Sequence, residues 1–245
     1  MMTPRTILLP TDFSGRCDRP RDRAMQLARQ WGARLVVFHV RAKPDHVMTS
    51  EEQQEEVAFI EARLRAEVQD EGVTVETRLG FGNVAEAVLG AATEAAADLI
   101  ATGISRHDDL GDFIIGTTVE RLVRNARAPV LVVKEPVRQD YRRFMVATDF
   151  SDCSAEALRT GFAMLPRAEA TLLHAYQVPL EALRGRDGPA AALQAQIALE
   201  LDTFLGRLDM SEDARDRLQV NVDYGDVCQV ARDHVQFSNT DLAAS

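Results

Sequence analysis

An internal repeat limits the folds open to this chain more than any other property of its sequence. The segments ILLPTDFS (7–14) and FMVATDFS (144–151) share the letters TDFS at a spacing of 137 residues. Three more matches follow in the same order: RLVVFHV with ATLLHAY, GFGNV with DYGDV, and ADLIATG with TDLAAS. Four ordered matches indicate a duplicated domain, and the spacing is too long for the unit of a solenoid.

The first copy alternates short apolar runs with amphipathic stretches. Hydrophobic periodicity predicts strands at 6–10, 34–40, 73–79, 98–102 and 128–133. It predicts helices at 18–31, 51–69 and 84–96, and another that carries Val119, Leu122 and Val123. Strands that alternate with helices build a parallel sheet, so we expect an α/β, Rossmann-like fold: a five-stranded parallel sheet with helices on both faces, duplicated.

The second copy is predicted to be incomplete. Residues 134–141, KEPVRQDY, are charged and contain Pro136, which is typical of a linker. We therefore expect one domain at 1–135 and another at 142–245. The second copy reaches Ser245 where the first is finishing its fourth strand. We expect it to be truncated before its glycine loop and last strand, and to be less stable than the first.

Charge and composition exclude several classes of function. The 245 residues carry a formal net charge of −10, with 46% hydrophobic and 27% charged residues. Such a chain does not attract polyanions, so we expect neither nucleic-acid nor membrane binding. The three cysteines form no CxxC pair. Widely spaced thiols of this kind are typical of a cytoplasmic protein, and they give no support to a structural metal site.

Three predicted strands of the first copy end in residues suited to a ligand. In open parallel sheets, ligands bind beyond the carboxyl ends of the strands, near a switch in strand order. The residues at these ends are Pro10, Thr11, Asp12, His39, Val40, Thr102 and Gly103.

The segment GISRHDDLGDFIIGTT (103–118) leads from the fourth strand into a predicted helix at Gly116-Thr117-Thr118. Free amides at a helix start carry roughly half a positive charge, and threonine hydroxyls donate to phosphate oxygens. Gly116 allows close backbone approach, and Gly103 is expected to take angles closed to other residues. The same segment also fits an ordinary surface loop in which Thr117 caps the helix.

Taken together, these segments resemble the universal stress protein family. GISRHDDLGDFIIGTT resembles the family's nucleotide loop, G-x2-G-x9-G-[ST], with Gly103, nine residues between position 106 and Gly116, and then Thr117. ILLPTDFS, VVFHV and APVLVVK resemble its first, second and closing strands, and the resemblance covers both copies. It implies the adenine-nucleotide α-hydrolase-like fold and a bound ATP, with or without Mg²⁺.

The resemblance also implies roles for individual residues. Asp12 would contact the nucleoside, and the backbone of Val40 the adenine. The remaining residues of the implied nucleotide site are Pro10, Thr11, Thr102, Gly103, Arg106, Gly116, Thr117 and Thr118. Arg106 replaces the second glycine of the motif, where it either blocks backbone approach or lays its guanidinium on a phosphate.

Other polar residues fit structural roles first. Asp12 also fits a turn cap, since the second copy keeps Asp149 without a glycine loop. His39 and His174 fit strand-end histidines with satisfied hydrogen bonds better than catalysts. Cys17 has no histidine near it in sequence, so a nucleophile role is not expected. The segment 107–109, His-Asp-Asp, fits either a magnesium ligand set or a solvated loop tip.

The leading hypothesis is a tandem universal stress protein that binds ATP in its first domain and acts in regulation. No nucleophile–base pair is evident, so we expect no dedicated catalysis and at most slow ATP hydrolysis. The alternatives are a nucleotide-free dimeric scaffold, with Arg106 closing the pocket, and a nucleotide-using transferase. The family pairs its fifth strand across a dimer, and apolar edge strands are usually paired, so we expect a homodimer through 129–133.

Overall fold

The computed structural model of the chain describes residues 4–41, 49–68, 72–104, 116–177 and 189–244. The chain divides into two compact units, Thr3–Asp140 (the first unit) and Tyr141–Ser245 (the second unit). No helix within the described ranges combines the length and the apolar character that a membrane span requires.

The first unit holds a five-stranded parallel sheet in the order β3-β2-β1-β4-β5. Its strands are β1 (Thr6–Thr11), β2 (Arg34–Arg41), β3 (Val75–Phe81), β4 (Leu99–Gly103) and β5 (Val130–Val133). Its helices are α1 (Asp18–Trp31), α2 (Ser50–Glu67), α3 (Val84–Glu94) and α4 (Thr117–Asn125), with a 3-10 turn at Gly15–Cys17. The predicted parallel α/β fold is confirmed.

The second unit repeats this arrangement with a four-stranded parallel sheet in the order β8-β7-β6-β9. Its strands are β6 (Arg143–Ala147), β7 (Glu169–Tyr176), β8 (Leu218–Tyr224) and β9 (Leu242–Ala244). Its helices are α5 (Asp152–Met164), α6 (Pro189–Arg207), α7 (Glu212–Asp216) and α8 (Val227–Phe237). The strand order matches β3-β2-β1-β4, so the duplicated sequence has duplicated its topology.

Local signals fix the helix ends. Gly32 stops α1 as its C-cap at φ 63°, and its N–H donates to the carbonyls of Ala28 and Arg29. Thr49 and Glu52 open α2 with a reciprocal capping box, in which each side chain accepts a hydrogen bond from the other residue's backbone N–H.

The structure places strand β3 two residues later than the sequence predicts. The alternating run at 73–79 predicts a strand there, but β3 spans Val75–Phe81. Its first residue lies opposite Leu35 and its last opposite Arg41, so the partner strand β2 sets both ends. Local alternation could not reveal this register.

The core of the first unit lies along its central strands. Ile7, Leu8 and Ile100 are fully buried. Val88 of α3 and Leu122 of α4 pack into the same cluster as Leu8 and Ile100. These apolar strands are buried against helices, and the carboxyl ends of β1 and β2 carry the polar residues Thr11 and His39.

Candidate functional site

The turn after β1 is held by its own side chains. Thr11 Oγ1 accepts a hydrogen bond from the Phe13 N–H at 3.1 Å, and Asp12 Oδ1 accepts one from the Ser14 N–H at 2.9 Å. Phe13 adopts φ 61°, the left-handed region that costs a non-glycine residue energy. The hydroxyl oxygen of threonine and the carboxylate oxygen of aspartate stabilise such turns by accepting hydrogen bonds from backbone N–H groups. The structural role considered for Asp12 is therefore present.

His39 locks the end of β2 to the end of β1. Its Nδ1 donates to the Thr11 carbonyl oxygen at 2.8 Å, and its ring centroid lies 4.5 Å from that of Phe13. The guanidinium carbon of Arg63, from α2, lies 4.2 Å from the Phe13 centroid. The expectation of a hydrogen-bonded strand-end histidine is confirmed.

The second unit builds the same turn. His174 Nδ1 lies 2.9 Å from the Thr148 carbonyl oxygen, and the His174 ring stacks on Phe150 at 4.3 Å. Phe150 adopts φ 64°, and Asp149 Oδ1 accepts from the Ser151 N–H at 3.0 Å. Because the turn is present in both units, its first role is structural. Ligand binding in the first unit therefore depends on the groups that this unit adds to the turn.

One addition is Cys17, which the sequence analysis did not place in the site. Its Sγ–H donates to Asp12 Oδ1 at 3.1 Å, and the Asp12 N–H donates back to Sγ at 3.4 Å. The position of Cys17 just after the TDFS segment was a sequence signal for a role near Asp12. The short distance between its thiol and the Asp12 carboxylate, however, depends on the 3-10 turn at Gly15–Cys17.

The electrostatics of the turn keep Asp12 ionised and Cys17 neutral. Partial burial alone would raise the pKa of Asp12. Hydrogen bonds from Ser14 and Cys17, together with the charge of Arg16, outweigh it and hold that pKa below 3.8. Burial raises the pKa of the Cys17 thiol above 9.0. A protonated thiol beside a carboxylate is a hydrogen-bond donor.

Gly103, at the end of β4, differs from its prediction. It has no positive φ; the described glycines that do are Gly32, Gly82 and Gly225. A β-carbon added to Gly103 would instead lie 2.9 Å from the Arg16 carbonyl oxygen and 3.4 Å from Pro20 Cγ. Glycine is needed here because the end of β4 packs directly against the turn after β1.

Helix α4 begins with uncapped amides. Gly116 is its N-cap, with φ −62° and ψ 152°, and no side chain caps the helix there. Thr117 is the first helical residue, so the alternative in which Thr117 caps the helix is wrong. Thr117 is exposed and Thr118 half-buried. Among the described residues, no side chain accepts from the first amides of α4. Helix amides in this position are groups that can bind an anion.

Topology brings these parts to one edge of the sheet. β1 and β4 are parallel neighbours, with Leu8 opposite Ile100, so their carboxyl ends lie side by side. Since β4 and β5 are also parallel, the intervening α4 must run back and begin at that same edge. Pro10, Thr102 and Val40 lie at these strand ends and are half-buried.

Two parts of the predicted site lie outside the described residues. Arg106 and the segment 107–109 fall in 105–115, which the structure leaves undescribed. Within the described ranges, no group of three His, Cys, Asp or Glu residues is placed to hold a metal ion. The described site therefore consists of one carboxylate, strand-end backbone and the start of α4.

The family follows from comparison with known proteins. The family model for "Universal stress protein family" matches residues 3–134, more than half of the chain. This chain belongs to the universal stress protein family. The two parallel sheets in succession support a tandem arrangement of the family's fold.

Individual universal stress proteins agree with this result. MJ0531 of Methanocaldococcus jannaschii is 26% identical over 144 residues, which cover 55% of this chain and 85% of that protein. A universal stress protein structure from Archaeoglobus fulgidus is 15% identical, with a TM-score of 0.68, covering 97% of this chain and 85% of the other. A third, solved in complex with cAMP, is 22% identical with a TM-score of 0.45, over 54% and 98% of the two chains. The Archaeoglobus likeness supports the fold of both units; the third structure's TM-score is too low to carry an argument.

Proposed function

We propose that the first unit of this universal stress protein binds an adenine nucleotide, ATP, and that the protein acts as a regulatory nucleotide-binding protein in stress response. The observation that carries the proposal is the meeting of two open groups at one sheet edge. Asp12 is exposed, and its Oδ2 accepts no hydrogen bond from any described residue. The first amides of α4 open towards the same edge.

These groups suit the two ends of a nucleotide. A carboxylate oxygen accepts hydrogen bonds from sugar hydroxyls or an amino group, and free helix amides hold phosphate. In this proposal Asp12 binds the nucleoside and the Val40 backbone binds adenine. Gly103 closes the strand ends, while Gly116, Thr117 and Thr118 bind phosphate oxygens.

Mg²⁺ would be held mainly by the triphosphate itself. Magnesium commonly keeps several waters and takes one or two carboxylates plus substrate phosphates. No described group of three acidic, His or Cys residues is available to replace those phosphates. We therefore propose that chelation weakens ATP binding through the ligand's charge and does not abolish the fold.

The domain assignment is part of the same proposal. We assign domains to 1–135 and 142–245 and place the nucleotide in the first, where the turn with Asp12 and the start of α4 meet at one sheet edge. Titration should then give one ATP per chain, and two would contradict this assignment.

Calorimetric titration of the whole chain with ATP, in Mg²⁺ and again in EDTA, tests the proposal. Gly116→Val should weaken ATP binding at least ten-fold, because a branched side chain would stand beside the first amides of α4. The angles φ −62° and ψ 152° suit valine, but Gly116 is buried, so urea unfolding of the variant checks that the fold is kept. Gly206→Val is the control, since Gly206 is exposed with no heavy atom within 4 Å of an added β-carbon.

A second pair of variants tests the carboxylate. Asp12→Asn should weaken ATP binding, and the matched Asp149→Asn should leave it unchanged. ADP and cAMP serve as comparison ligands for the contribution of the γ-phosphate. No heat of ATP binding by the wild-type chain at millimolar ligand, or equal binding by Gly116→Val, would overturn the proposal.

We also propose a homodimer through 129–133. β5 is the edge strand of the first sheet, and Ile100 N–H donates to the Pro129 carbonyl oxygen at 3.0 Å. Alternation along a strand then turns the backbone groups of Val130 and Val132 away from β4, where a second copy can pair with them.

Light scattering at micromolar concentration tests the dimer. Val132→Pro removes an outward N–H without removing a bond to β4, and should give a monomer, whereas Val132→Thr keeps the N–H and should remain dimeric. A monomeric wild-type chain would contradict the homodimer and leave ATP binding to be judged separately.

A further inference from the structure

Asp12 and Cys17 are joined by two hydrogen bonds that form a closed ring. The thiol donates to Asp12 Oδ1 at 3.1 Å, and the Asp12 amide donates to Sγ at 3.4 Å. Sulfur is a weak donor and acceptor, but two reciprocal contacts fix the side chain of Asp12 to its own backbone more firmly than either would alone.

The ring divides the two oxygens of the carboxylate between different tasks. Oδ1 accepts from both the Ser14 N–H and the Cys17 thiol. Oδ2 accepts from no described residue, and Asp12 is exposed. With Oδ1 held by two donors, rotation about the side chain is restricted and Oδ2 keeps one direction.

The second unit supplies an internal comparison. Ser154 lies six residues after Thr148, just as Cys17 lies six after Thr11. The Ser154 hydroxyl is 2.8 Å from Thr148 Oγ1 and donates to the Ser151 carbonyl at 3.0 Å. The Asp149 carboxylate accepts the Ser151 N–H at 3.0 Å. The Ser154 side chain also lowers the pKa of Asp149, but it is the smallest of the causes that do so. The reciprocal pair, in which the side chain donates to the carboxylate and accepts from the same residue's amide, is formed by Cys17 and Asp12 in the unit with the proposed nucleotide site.

We propose that Cys17 is a positioning residue for nucleotide binding: its thiol holds Asp12 Oδ1 so that Oδ2 points to the nucleoside. This inference rests on the proposed function of the first unit. It assigns to Cys17 a neutral donor role, with no covalent or redox step. Burial favours that role, since it keeps the thiol protonated.

Three variants of the full chain test this role by ATP titration calorimetry. Cys17→Ala removes the donor, and we expect ATP affinity to fall about two- to five-fold, because a thiol is a weaker donor than a hydroxyl or an amide. Cys17→Ser restores a donor and should recover most of the affinity. Cys153→Ala is the control, because Cys153 is an exposed cysteine in the corresponding turn of the second unit.

A second measurement reads the carboxylate without nucleotide. We expect Cys17→Ala to raise the pKa of the Asp12 carboxyl, followed by carbon NMR, and Cys17→Ser to lower it again. Arg16 is the charged group that also acts on this carboxyl, and it stays in every variant. Loss of packing alone would not produce this pattern of rise and recovery.

The two proposals fail differently. If Asp12→Asn loses ATP while Cys17→Ala changes neither affinity nor the Asp12 pKa, the positioning role is wrong and nucleotide binding stands. If Cys17→Ala and Cys17→Ser weaken ATP binding equally, the thiol acts through volume and the role is again wrong. If the wild-type chain binds no ATP, both proposals fail.

Discussion

Gly103 packs against Arg16 so closely that a β-carbon on Gly103 would lie 2.9 Å from the Arg16 carbonyl oxygen. This contact joins the end of β4 to the turn after β1, across the point where the strand order reverses. The Arg16 carbonyl oxygen is a backbone atom, so it cannot move away by a rotamer change as a side-chain atom can. The approach of these two segments therefore depends on the absence of a side chain at position 103.

Gly103→Ala should destabilise the first unit by about 1–3 kcal/mol, the usual cost of overpacking. Gly90→Ala is the matched control, since Gly90 is exposed on α3 and an added β-carbon meets no heavy atom within 4 Å. It should stabilise the protein by roughly 0.5–1 kcal/mol through helix propensity. Urea unfolding of both variants measures the difference, and equal stability would show that the Arg16 backbone yields easily.

Acid should destabilise the protein through Asp12 and Asp149. In the folded chain, burial raises the pKa of Asp12, but hydrogen bonds and the charge of Arg16 outweigh burial, so the net pKa is lowered. Hydrogen bonds from Ser151 lower the pKa of Asp149. The unfolded chain then binds more protons than the folded one in this range. Their stabilisation is present above about pH 4 and is lost as the pH falls through the lowered folded values.

Urea unfolding between pH 7 and pH 3 measures this loss. Asp12→Asn and Asp149→Asn should each make the fall in unfolding free energy with acid shallower, and the double variant shallower still. An unchanged slope in the double variant would show that other carboxylates set the acid limit.

The segment after β5 should stabilise the first unit through Arg23. This residue of α1 is 6% exposed, and its Nη1 donates to the Gln139 carbonyl oxygen at 2.9 Å. Arg23→Ala should cost about 1–3 kcal/mol by removing this buried hydrogen bond from a charged donor. Arg21→Ala is the control: Arg21 pairs with Asp18 and Asp22 at the surface, where such pairs contribute about 0–1 kcal/mol. Similar losses in the two variants by thermal unfolding would contradict the docking role.

Helix α8 should open more easily than its counterpart α3. Four residues of α3 are buried, Ala85, Val88, Ala91 and Ala92, whereas α8 has none. Fewer buried apolar contacts mean a lower free energy of local opening. Hydrogen exchange followed by mass spectrometry should show faster exchange in peptides from 227–237 than from 84–94. Equal protection would contradict the expectation that the second copy is the less stable one.

The sequence did not predict the side-chain contacts that shape the candidate site. The repeated TDFS segment predicted two equivalent turns, and both exist. At equivalent positions, however, the Cys17 thiol lies 3.1 Å from Asp12 Oδ1, whereas the Ser154 hydroxyl lies 2.8 Å from Thr148 Oγ1. Letters at matching positions cannot show whether a side chain turns to the aspartate or to the threonine. The role of Gly103 was likewise misjudged, because its neighbour Arg16 is distant in sequence.

By itself the sequence determined the duplicated parallel α/β architecture, the strand ends that carry Asp12 and His39, and the family resemblance, because hydrophobic period and repeated motifs are local properties. Tertiary structure alone decided the register that bounds β3, the packing of β4 on the turn after β1, and the division of the Asp12 oxygens between thiol and open space. These depend on atoms that approach each other only after the strands pair. Their positions follow from close packing of the whole unit, which no short stretch of sequence encodes.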